Sequence, residues 1–435
     1  AFVHPEGVYD DPRGGALREM LYARLRKHFM FANESKLFPE VDHHTTFSLN
    51  VYGSSHKVSF DTISNLYEPG TIESCYELNN SMEVPGIKNE SGEWNTKGHP
   101  DRIIHIEKEQ LLLFANLFDG SQDWKRAKLP ALHSRQIVDS LECFSKQKRT
   151  LGDLGEKVFV TEMWNETGAQ KEGTIRREVG FPETMFSLIY SGPHINVANP
   201  LFKTSRRVCT LNSDYDSIDL TNIPNDYKPR CNYVPSCNPY EYVARIPKTS
   251  WGKKYHETYR ILMRRMLNQS GERVLTCAIE PCEIAHVNTV ISLTLDNCVD
   301  MATLAGCMAS VPYDNYIRCS RKGDMYFSTM RAFPVFNGKE KYQILLRALL
   351  LNCLTVSYVN LWTSCWEERF VMERWAKKDS RLNNEKFLTL SSTWDWNTPL
   401  RTDYERREAL VELDVLTSMA LGMSLEQLKI IYRIQ

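Results

Sequence analysis

The residues best suited to chemistry form a cluster of cations and rings between positions 245 and 273. This segment has eight lysine and arginine side chains against only Glu257 and Glu272. The cations are Arg245, Lys248, Lys253, Lys254, Arg260, Arg264, Arg265 and Arg273, with Trp251, Tyr255 and Tyr259 among them. Cations neutralise phosphates while planar side chains pack on sugars and bases. The pattern predicts a nucleic-acid-binding segment, and its alternative is a solvated helix face with the tryptophan anchored in the core.

Two smaller groups of cations could extend the same surface. They are Lys203, Arg206 and Arg207, and further along Arg318, Arg321, Lys322 and Arg331. Arginine and lysine can donate to the two major-groove acceptors of guanine, but they contact phosphates equally well. The sequence therefore leaves open which of them would touch bases. Because the formal net charge of the chain is −1, affinity for nucleic acid has to come from such local clusters.

Metal and nucleotide motifs are weak in this sequence. The twelve cysteines are scattered, and the closest spacings, Cys231 to Cys237 and Cys277 to Cys282, do not match zinc-finger spacing. We expect reduced, mostly buried thiols in a cytoplasmic protein. His43 and His44 are adjacent, and on a strand their side chains would point to opposite faces, so we expect no metal-ligand pair there. Nucleotide-binding glycine loops are missing from the sequence, which disfavours a motor.

The composition is that of a soluble globular protein with two or three domains. Its 435 residues are 42% hydrophobic and 25% charged. Bilayer spans need about 18–20 consecutive apolar residues, and the longest apolar runs here are much shorter, so we expect no membrane role.

The periodicity of the chain predicts which elements would position these residues. Residues 1–60 are typical of an α/β unit: a helix whose apolar spacing runs from Leu17 to His28, then a strand in which Phe47, Leu49 and Val51 form one buried face. Residues 61–160 form a connecting region. It contains polar, turn-rich sequence around Asn79-Asn80-Ser81 and Lys88–Gly92, and helices near Glu107–Phe118 and Arg135–Lys148.

The second half is expected to change from mixed structure to helices. Residues 161–335 would combine one basic helix with buried strands at Val274–Ile279 and Val287–Leu295. Residues 336–435 would be helical. Thr402 with Glu405, and Ser424 with Gln427, have the spacing of capping boxes that start helices.

Several short segments, taken in order, resemble one family of enzymes. The segments are Phe2–Pro12, Phe31–Val41, Ser191–His194, Asn199–Leu201, Ser270–Leu275, Arg401–Tyr404, Leu421–Ser424 and Ile431–Arg433. They are similar to the later motifs of large adenine-N6 DNA methyltransferases. These are the type IIG restriction–modification enzymes and their relatives in the BREX and DISARM phage-defence systems. The similarity extends over nearly the whole chain.

This resemblance implies an enzyme that flips an adenine out of duplex DNA and methylates it from S-adenosylmethionine. The methyl-donor loop and the Asn-Pro-Pro-aromatic motif of the family are missing here; Asn238-Pro239-Tyr240 lacks a proline. The chain would thus be the C-terminal part of such an enzyme. It would contain the end of a methyltransferase-like mixed sheet, an α+β target-recognition domain and a helical C-terminal region. In related enzymes an aromatic side chain on a late strand stacks on the extruded base. Tyr52 and Phe47 are on such a strand here, and Tyr52 is the candidate, with an ordinary core or surface aromatic as the alternative.

The implied partners are double-stranded DNA and either an N-terminal catalytic portion or a separate catalytic chain. Other subunits of a defence system are further candidate partners. A second hypothesis is a non-catalytic DNA-specificity or scaffold subunit. A third, a structural helical interaction protein, would leave the cationic segment unexplained.

Overall fold

The computed structural model describes residues 1–77, 83–211 and 213–434, which form a mixed α/β protein with several sheets. The predicted turn at Asn79-Asn80-Ser81 lies outside the described residues. The predicted turn at Lys88–Gly92 is confirmed, because the backbone N–H of Gly92 donates to the carbonyl of Asn89. All twelve cysteines are free thiols and nine of them are buried, as expected.

The first sheet has five strands in the spatial order β1-β3-β2-β4-β5. Its strands are β1 (Phe2–Pro5), β2 (Leu25–Ala32), β3 (Thr46–Tyr52), β4 (Phe60–Leu66) and β5 (Ile104–Ile106). Neighbours are antiparallel except β2 and β4, which are parallel. The sheet therefore extends well beyond residue 60. The domain boundaries at residues 60, 160 and 335 stay predictions.

Two expectations for this sheet are corrected. The helix expected to continue to His28 ends at Tyr22, because Leu25–Ala32 is the strand β2, which is paired on both sides. On β3 the strand itself is confirmed, but its more buried face is polar. Ser48 and Asn50 are fully buried, while Phe47 and its apolar neighbours are half-buried. The reason is a polar partner: Asn50 accepts a hydrogen bond from the buried hydroxyl of Tyr9 at 2.7 Å.

A second group of strands surrounds the cationic segment. The remaining strands are β6 (Val158–Thr161), β7 (Ile175–Gly180), β8 (Ile189–Tyr190), β9 (Lys203–Ser205), β10 (Tyr215–Ser217), β11 (Cys231–Pro235), β12 (Arg260–Arg264), β13 (Cys277–Glu280), β14 (Ala285–His286) and β15 (Val290–Leu295). Four of them form an antiparallel sheet in the order β13-β12-β15-β6. The rest pair two by two, as β9 with β10, β7 with β11, and β8 with β14.

The helices cover these sheets and fill most of the second half. They are α1 (Gly7–Asp10), α2 (Gly15–Tyr22), α3 (Gly70–Tyr76), α4 (Lys108–Phe114), α5 (Arg135–Ser145), α6 (Glu166–Lys171), α7 (Pro239–Arg245), α8 (Cys298–Met308), α9 (Val311–Ser320), α10 (Phe327–Met330), α11 (Lys341–Asn352), α12 (Val359–Cys365), α13 (Asp403–Leu421) and α14 (Leu425–Ile434). The helices predicted near 107–118 and 135–148 are confirmed as α4 and α5. Residues 366–402 are mostly irregular rather than helical.

Apolar residues of both halves share one large hydrophobic core, and smaller apolar clusters lie beside it. Tyr9 and Phe60 from the first sheet share it with Ile261 and Leu293 from the second. Helix α11 is buried around its whole circumference from Ile344 onward, which is typical of a core helix. Both predicted capping boxes start helices: the Thr402 hydroxyl accepts from the Glu405 N–H before α13, and Ser424 and Gln427 cap each other before α14. Among the helices of the described ranges, none has the length and apolar character that a bilayer span requires.

The predicted basic helix does not form. Residues 260–264 are instead strand β12, which lies between β13 and β15. The Arg260 side chain is fully buried, and its guanidinium lies 2.7 Å from the carboxylate of Glu280, its cross-strand partner on β13. It also donates to the carbonyls of Tyr255 and Ile284, both at 2.8 Å. Burial raises the pKa of Glu280 to about 7.

Breaking this pair should be costly for stability. We expect Arg260→Met to lower the free energy of unfolding by about 3–5 kcal/mol, because it leaves Glu280 buried without a countercharge. Since the folded-state pKa of Glu280 lies above its ordinary value of 4.5, its contribution to stability falls as the pH rises from 4.5 to about 7. Because Arg260 lowers the pKa of Glu280 against the effect of burial, removing it should raise that pKa further, and the loss should be larger at pH 8 than at pH 5. Urea unfolding at both values measures it.

The matched control is Arg176→Met on β7, where both partners of the Arg176–Glu178 pair are about half exposed. Exposed pairs contribute about 0–1 kcal/mol, so this variant should unfold nearly as the parent does. Equal losses in the two variants would contradict the role given to the buried pair.

Candidate nucleic-acid interface

The cationic segment 245–273 does not form one continuous surface. It leaves α7, makes a tight turn, passes through the core as β12 and returns to the surface beyond Arg264. Arg245 is half-buried and donates to the carbonyl of Glu172 and, by a side-chain ion pair, to Glu241. Arg260 is sealed in the core, which corrects its assignment to a DNA-binding surface. The exposed cations of this segment, Lys248 and Lys253, lie at the turn.

Residues 248–254 form a tight turn that is closed by an antiparallel bridge between Lys248 and Lys254. Thr249 and Lys253 pair through their backbones, and the N–H of Thr249 donates to the Lys253 carbonyl at 2.9 Å. Gly252 has φ +87°, a left-handed conformation that other residues adopt only with strain. The turn exposes Lys248 and Lys253 beside a half-buried Trp251. The ammonium of Lys254 points inward instead and donates to the Val243 carbonyl at 2.7 Å. We call residues 248–254 the basic turn.

A large open groove lies at the C-terminal end of β12, next to Arg264. It has a volume of about 1060 Å³. Its walls are the segments 196–202 and 217–221, the loop 264–276 between β12 and β13, the first three turns of α13, and Tyr432 of α14. Five arginines line it: Arg264, Arg273, Arg401, Arg406 and Arg407. We call this the arginine groove.

Three of these arginines are anchored by backbone carbonyls. Arg264 donates to Gly192 and Ile195, at 3.0 and 2.7 Å. Arg401 and Arg406 are buried, and in the described part of the chain their hydrogen bonds all go to carbonyl oxygens, such as those of Leu354 and Ala198.

Desolvation lowers the pKa of both Arg401 and Arg406 to about 10, so both stay charged at neutral pH. Carbonyl oxygens stabilise a guanidinium without cancelling its charge. The groove therefore keeps a positive potential in its wall.

Carboxylates offset part of this charge. Asp414 is buried and accepts hydrogen bonds from the N–H of Val311, at 2.6 Å, and from the hydroxyl of Tyr432. Arg273 lies 3.7 Å from it. Burial raises the pKa of this carboxyl. Three further acids line the groove at exposed positions, namely Asp219, Glu272 and Asp403. Arg407 is the arginine of the groove that is exposed to solvent.

The first supporting cluster borders the arginine groove. Lys203 lies on β9 and Arg206 follows it. Phe202, which precedes β9, and Ser217, which pairs with Lys203, both line the groove. The Lys203 ammonium lies over the ring of Phe202, 5.1 Å from its centroid. Arg206 pairs with Asp216 across the hairpin at 2.8 Å, while Arg207 is exposed at the tip. These residues stay candidates for phosphate contact.

The second supporting cluster is mostly structural, which corrects its assignment. Arg318 is buried and donates to the carbonyls of Gln269 and Gly271, so it holds the loop that lines the groove. The guanidinium of Arg321 is enclosed, and burial lowers its pKa. Lys322 pairs with Asp10 at 2.5 Å. Arg331 is exposed, but its side chain lies against Gly120 and Gly152 rather than beside the groove.

Tyr52 lies at the end of β3 with its hydroxyl fixed and its ring half exposed. The hydroxyl is 3.0 Å from Nε2 of His4 and 2.9 Å from the hydroxyl of Tyr9. Burial raises the pKa of the Tyr52 phenol. The exposed ring of Phe2 lies 6.1 Å away. Phe47, by contrast, is stacked on Phe31 and is not free to pack on a base.

The sequence pointed to only part of this site. Arg401 and the residues after it belong to the family-like tail motif, but nothing in the sequence marks them as groove residues. Two arginines in adjacent positions, Arg406 and Arg407, are a signal that would favour one buried and one exposed cation on a helix. No pattern joins them to Arg264, because more than 130 positions separate them.

The small cavity beside the first sheet does not fit S-adenosylmethionine. The enclosed cavity beside the first sheet, next to Asn65 and Tyr67, has a volume of about 20 Å³, whereas ligand pockets are about 300–1,000 Å³. Its walls include Arg318 and Arg321, whose charge would repel the cationic methyl donor.

These features define a mixed α/β protein with a cationic turn and an arginine-lined groove. No protein-family model matches the chain, and no curated protein matches it. Among solved structures, it is similar to the type IIG restriction endonuclease BpuSI, with a TM-score of 0.26 and 10% identity over 96% of this chain and 47% of that one. It is also similar to the type IIL restriction–modification enzyme MmeI in complex with DNA, with a TM-score of 0.37 and 9% identity over 97% and 47%.

The chain spans about half the length of each of these two proteins. Neither TM-score reaches 0.5, and neither similarity decides the fold of this chain.

The adjacent residues Arg406 and Arg407 of α13 test whether the buried arginines of the groove stabilise the fold while the exposed one does not. We expect Arg406→Gln to destabilise the protein by at least about 2 kcal/mol, because it removes the donors to three carbonyls, those of Leu351, Leu400 and Ala198. Arg407→Gln should change stability by less than about 0.5 kcal/mol, since its side chain is exposed. Urea unfolding of the two variants measures both. A similar loss in both would show that the division is wrong.

Proposed function

We propose that this chain is the DNA-recognition portion of a site-specific adenine-N6 DNA methyltransferase in a bacterial restriction or phage-defence system. The methyl donor, S-adenosylmethionine, would be bound by residues outside this chain. The observation on which the proposal rests is the arginine groove, whose buried arginines are held by carbonyl oxygens instead of carboxylates. The order of the family-like motifs adds to it.

The groove suits a phosphate backbone by its charge and its rigidity. Arg264, Arg401 and Arg406 are fixed by hydrogen bonds, so they would set a constant potential without reorganising when DNA binds. Arg407 on one wall and Arg207 at the hairpin tip are exposed and long enough to reach phosphate oxygens. The acids on the rim would repel phosphates and so weaken non-specific DNA binding. They could accept hydrogen bonds from base donors such as the amino group of cytosine.

The basic turn supplies the second part of the proposed interface. Lys248 and Lys253 project from a hairpin that Gly252 and the Thr249 hydroxyl hold in shape. Such a turn can enter a groove of a duplex or follow its backbone, and the ring of Trp251 is available to pack on a sugar.

Tyr52 is the proposed contact to the extruded adenine. Fixing its hydroxyl to His4 and Tyr9 orients the ring before DNA arrives, so less conformational freedom is lost on stacking. An enzyme that flips a base has to offset the lost stacking and pairing of that base. Stacking on a ring that is already held in place would offset part of this loss.

A non-catalytic DNA-specificity or scaffold subunit is the second candidate. The observation that favours it is the poor fit of the small cavity beside the first sheet to S-adenosylmethionine. Both candidates predict DNA binding, but only the methyltransferase predicts contact with a flipped base.

The basic turn can be tested by the salt dependence of binding. Lys248→Gln/Lys253→Gln should weaken binding to duplex DNA and lower the slope of log K against log salt by about 1.8, since each lost phosphate contact removes about 0.9. Fluorescence anisotropy with a labelled duplex at several salt concentrations measures both quantities.

The matched control for this test is Lys57→Gln/Lys339→Gln, which removes the same charge from two side chains that are 83% and 86% exposed and lie outside the turn and the groove. Its slope should equal that of the parent. The same affinity and slope in all three proteins would refute the proposed interface.

Tyr52 can be tested in an enzyme reconstituted with its catalytic portion. With 2-aminopurine at the target position, binding should raise the fluorescence of the parent, and Tyr52→Ala should reduce this rise. Tyr52→Phe keeps the ring and removes only the hydrogen bonds to His4 and Tyr9, so it should retain most of the signal. DNA binding without any fluorescence change in the parent would favour the specificity subunit.

A further inference from the structure

His43 and His44 do not lie on a strand, which corrects the expectation that their side chains diverge. They occupy a turn in the loop between β2 and β3, and their ring centroids are only 3.8 Å apart. The side chain of Asp42 accepts from the backbone N–H of His44 at 2.8 Å, and the Asp42 carbonyl accepts from the N–H of Thr45 at 3.0 Å. Both rings are thereby presented on the same side of the loop.

The loop that holds these histidines is organised by one buried side chain. Asn33 is fully buried at the end of β2. Its amide group donates to the carbonyls of Phe38 and Val41, at 2.9 and 3.0 Å, and its amide oxygen accepts from the N–H of Phe38. Its backbone N–H donates to the carbonyl of Thr45, which closes the loop. Residues 33–45 are therefore fixed by their own hydrogen bonds.

A carboxylate completes the group. Glu34 follows Asn33, and its side chain is 16% exposed. One of its oxygens lies 3.4 Å from Nδ1 of His44. One ligand atom from each of Glu34, His43 and His44 lies within 4.8 Å of the other two. Two ligands of a tetrahedral metal, at bonds of about 2.1 Å, are about 3.4 Å apart, so small rotations of the side chains would bring all three to one ion.

We propose that Glu34, His43 and His44 form a binding site for one divalent transition-metal ion of the zinc class. Two imidazole nitrogens and one carboxylate oxygen suit Zn²⁺, whereas Mg²⁺ and Ca²⁺ prefer oxygen ligands alone. Both imidazoles are exposed, so the fourth position of the ion is open to water or to an exogenous ligand. Asn33 is the positioning residue of the site. The inference does not rest on the proposed function.

Binding would have a structural consequence for the first sheet. The ion would link Glu34, next to the end of β2, to His43 and His44, just before β3. It would thus fasten the loop that joins two paired strands. We expect metal to protect residues 36–43 from proteolysis, since a link across the base of a loop restricts its opening.

Titration of the full chain with Co²⁺ and Zn²⁺ tests the site. Co²⁺ reports its ligands by absorbance, because thiolate ligands give intense charge-transfer bands in the near ultraviolet that nitrogen and oxygen ligands do not. We expect one Co²⁺ per chain, visible bands without the thiolate bands, and displacement by Zn²⁺. His43→Ala and His44→Ala should each weaken binding more than tenfold, beyond the effect of losing only an outer partner.

The matched control is His105→Ala, which removes another exposed histidine that lies beside a carboxylate, 2.8 Å from Asp61. Its affinity for metal should equal that of the parent. Asn33→Ala keeps all three ligands but removes the hydrogen bonds that shape the loop. It should therefore weaken both metal binding and the protection of the loop from proteolysis, whereas neither would change if the three ligands alone determined binding. The proposal is overturned if the double variant His43→Ala/His44→Ala binds Co²⁺ as the parent does, or if the thiolate bands appear.

Discussion

The burial of Arg260 opposite Glu280 is the constraint on which the rest of the structure depends. A charge in the core is tolerated only when it is paired and hydrogen-bonded, and here the carboxylate and three carbonyls provide this for Arg260. The pair fixes the inner strand β12 against the edge strand β13. Because β12 is fixed, the basic turn is held before it and the groove-lining loop 264–276 after it. Two surfaces of the proposed interface therefore have one origin in the core.

The same principle separates the arginines that shape the protein from those that face solvent. Arg318 and Arg401 use their planar donors to satisfy carbonyls of irregular segments, which would otherwise be buried without partners. Lys248 and Arg407 lie where water, or a phosphate, is the available partner. A chain with a net charge of −1 can thus still have a local positive potential, because its cations and carboxylates are unevenly distributed over the surface.

Local patterns predicted the elements in which local forces decide. The capping residues of α13 and α14, the helices α4 and α5, and strand β15 within Val287–Leu295 all followed from spacing alone. The errors occurred where tertiary pairing overrides local preference. Leu25 and His28 fit a helical face but belong to β2, since two neighbouring strands satisfy its backbone. The apolar face of β3 is less buried than its polar one, because Tyr9 provides Asn50 with a partner in the core.

The sequence by itself determined the composition of the cationic segment, its interleaved rings, the free thiols and the helix starts, because these depend on residues close together in the chain. Only the tertiary structure decided which cations are accessible. It placed Arg260 in the core and Arg407 in the same groove as Arg264, and it brought the rings of His43 and His44 together. The physical reason is that burial and convergence are set by contacts between residues far apart in sequence, whose energies no local pattern records.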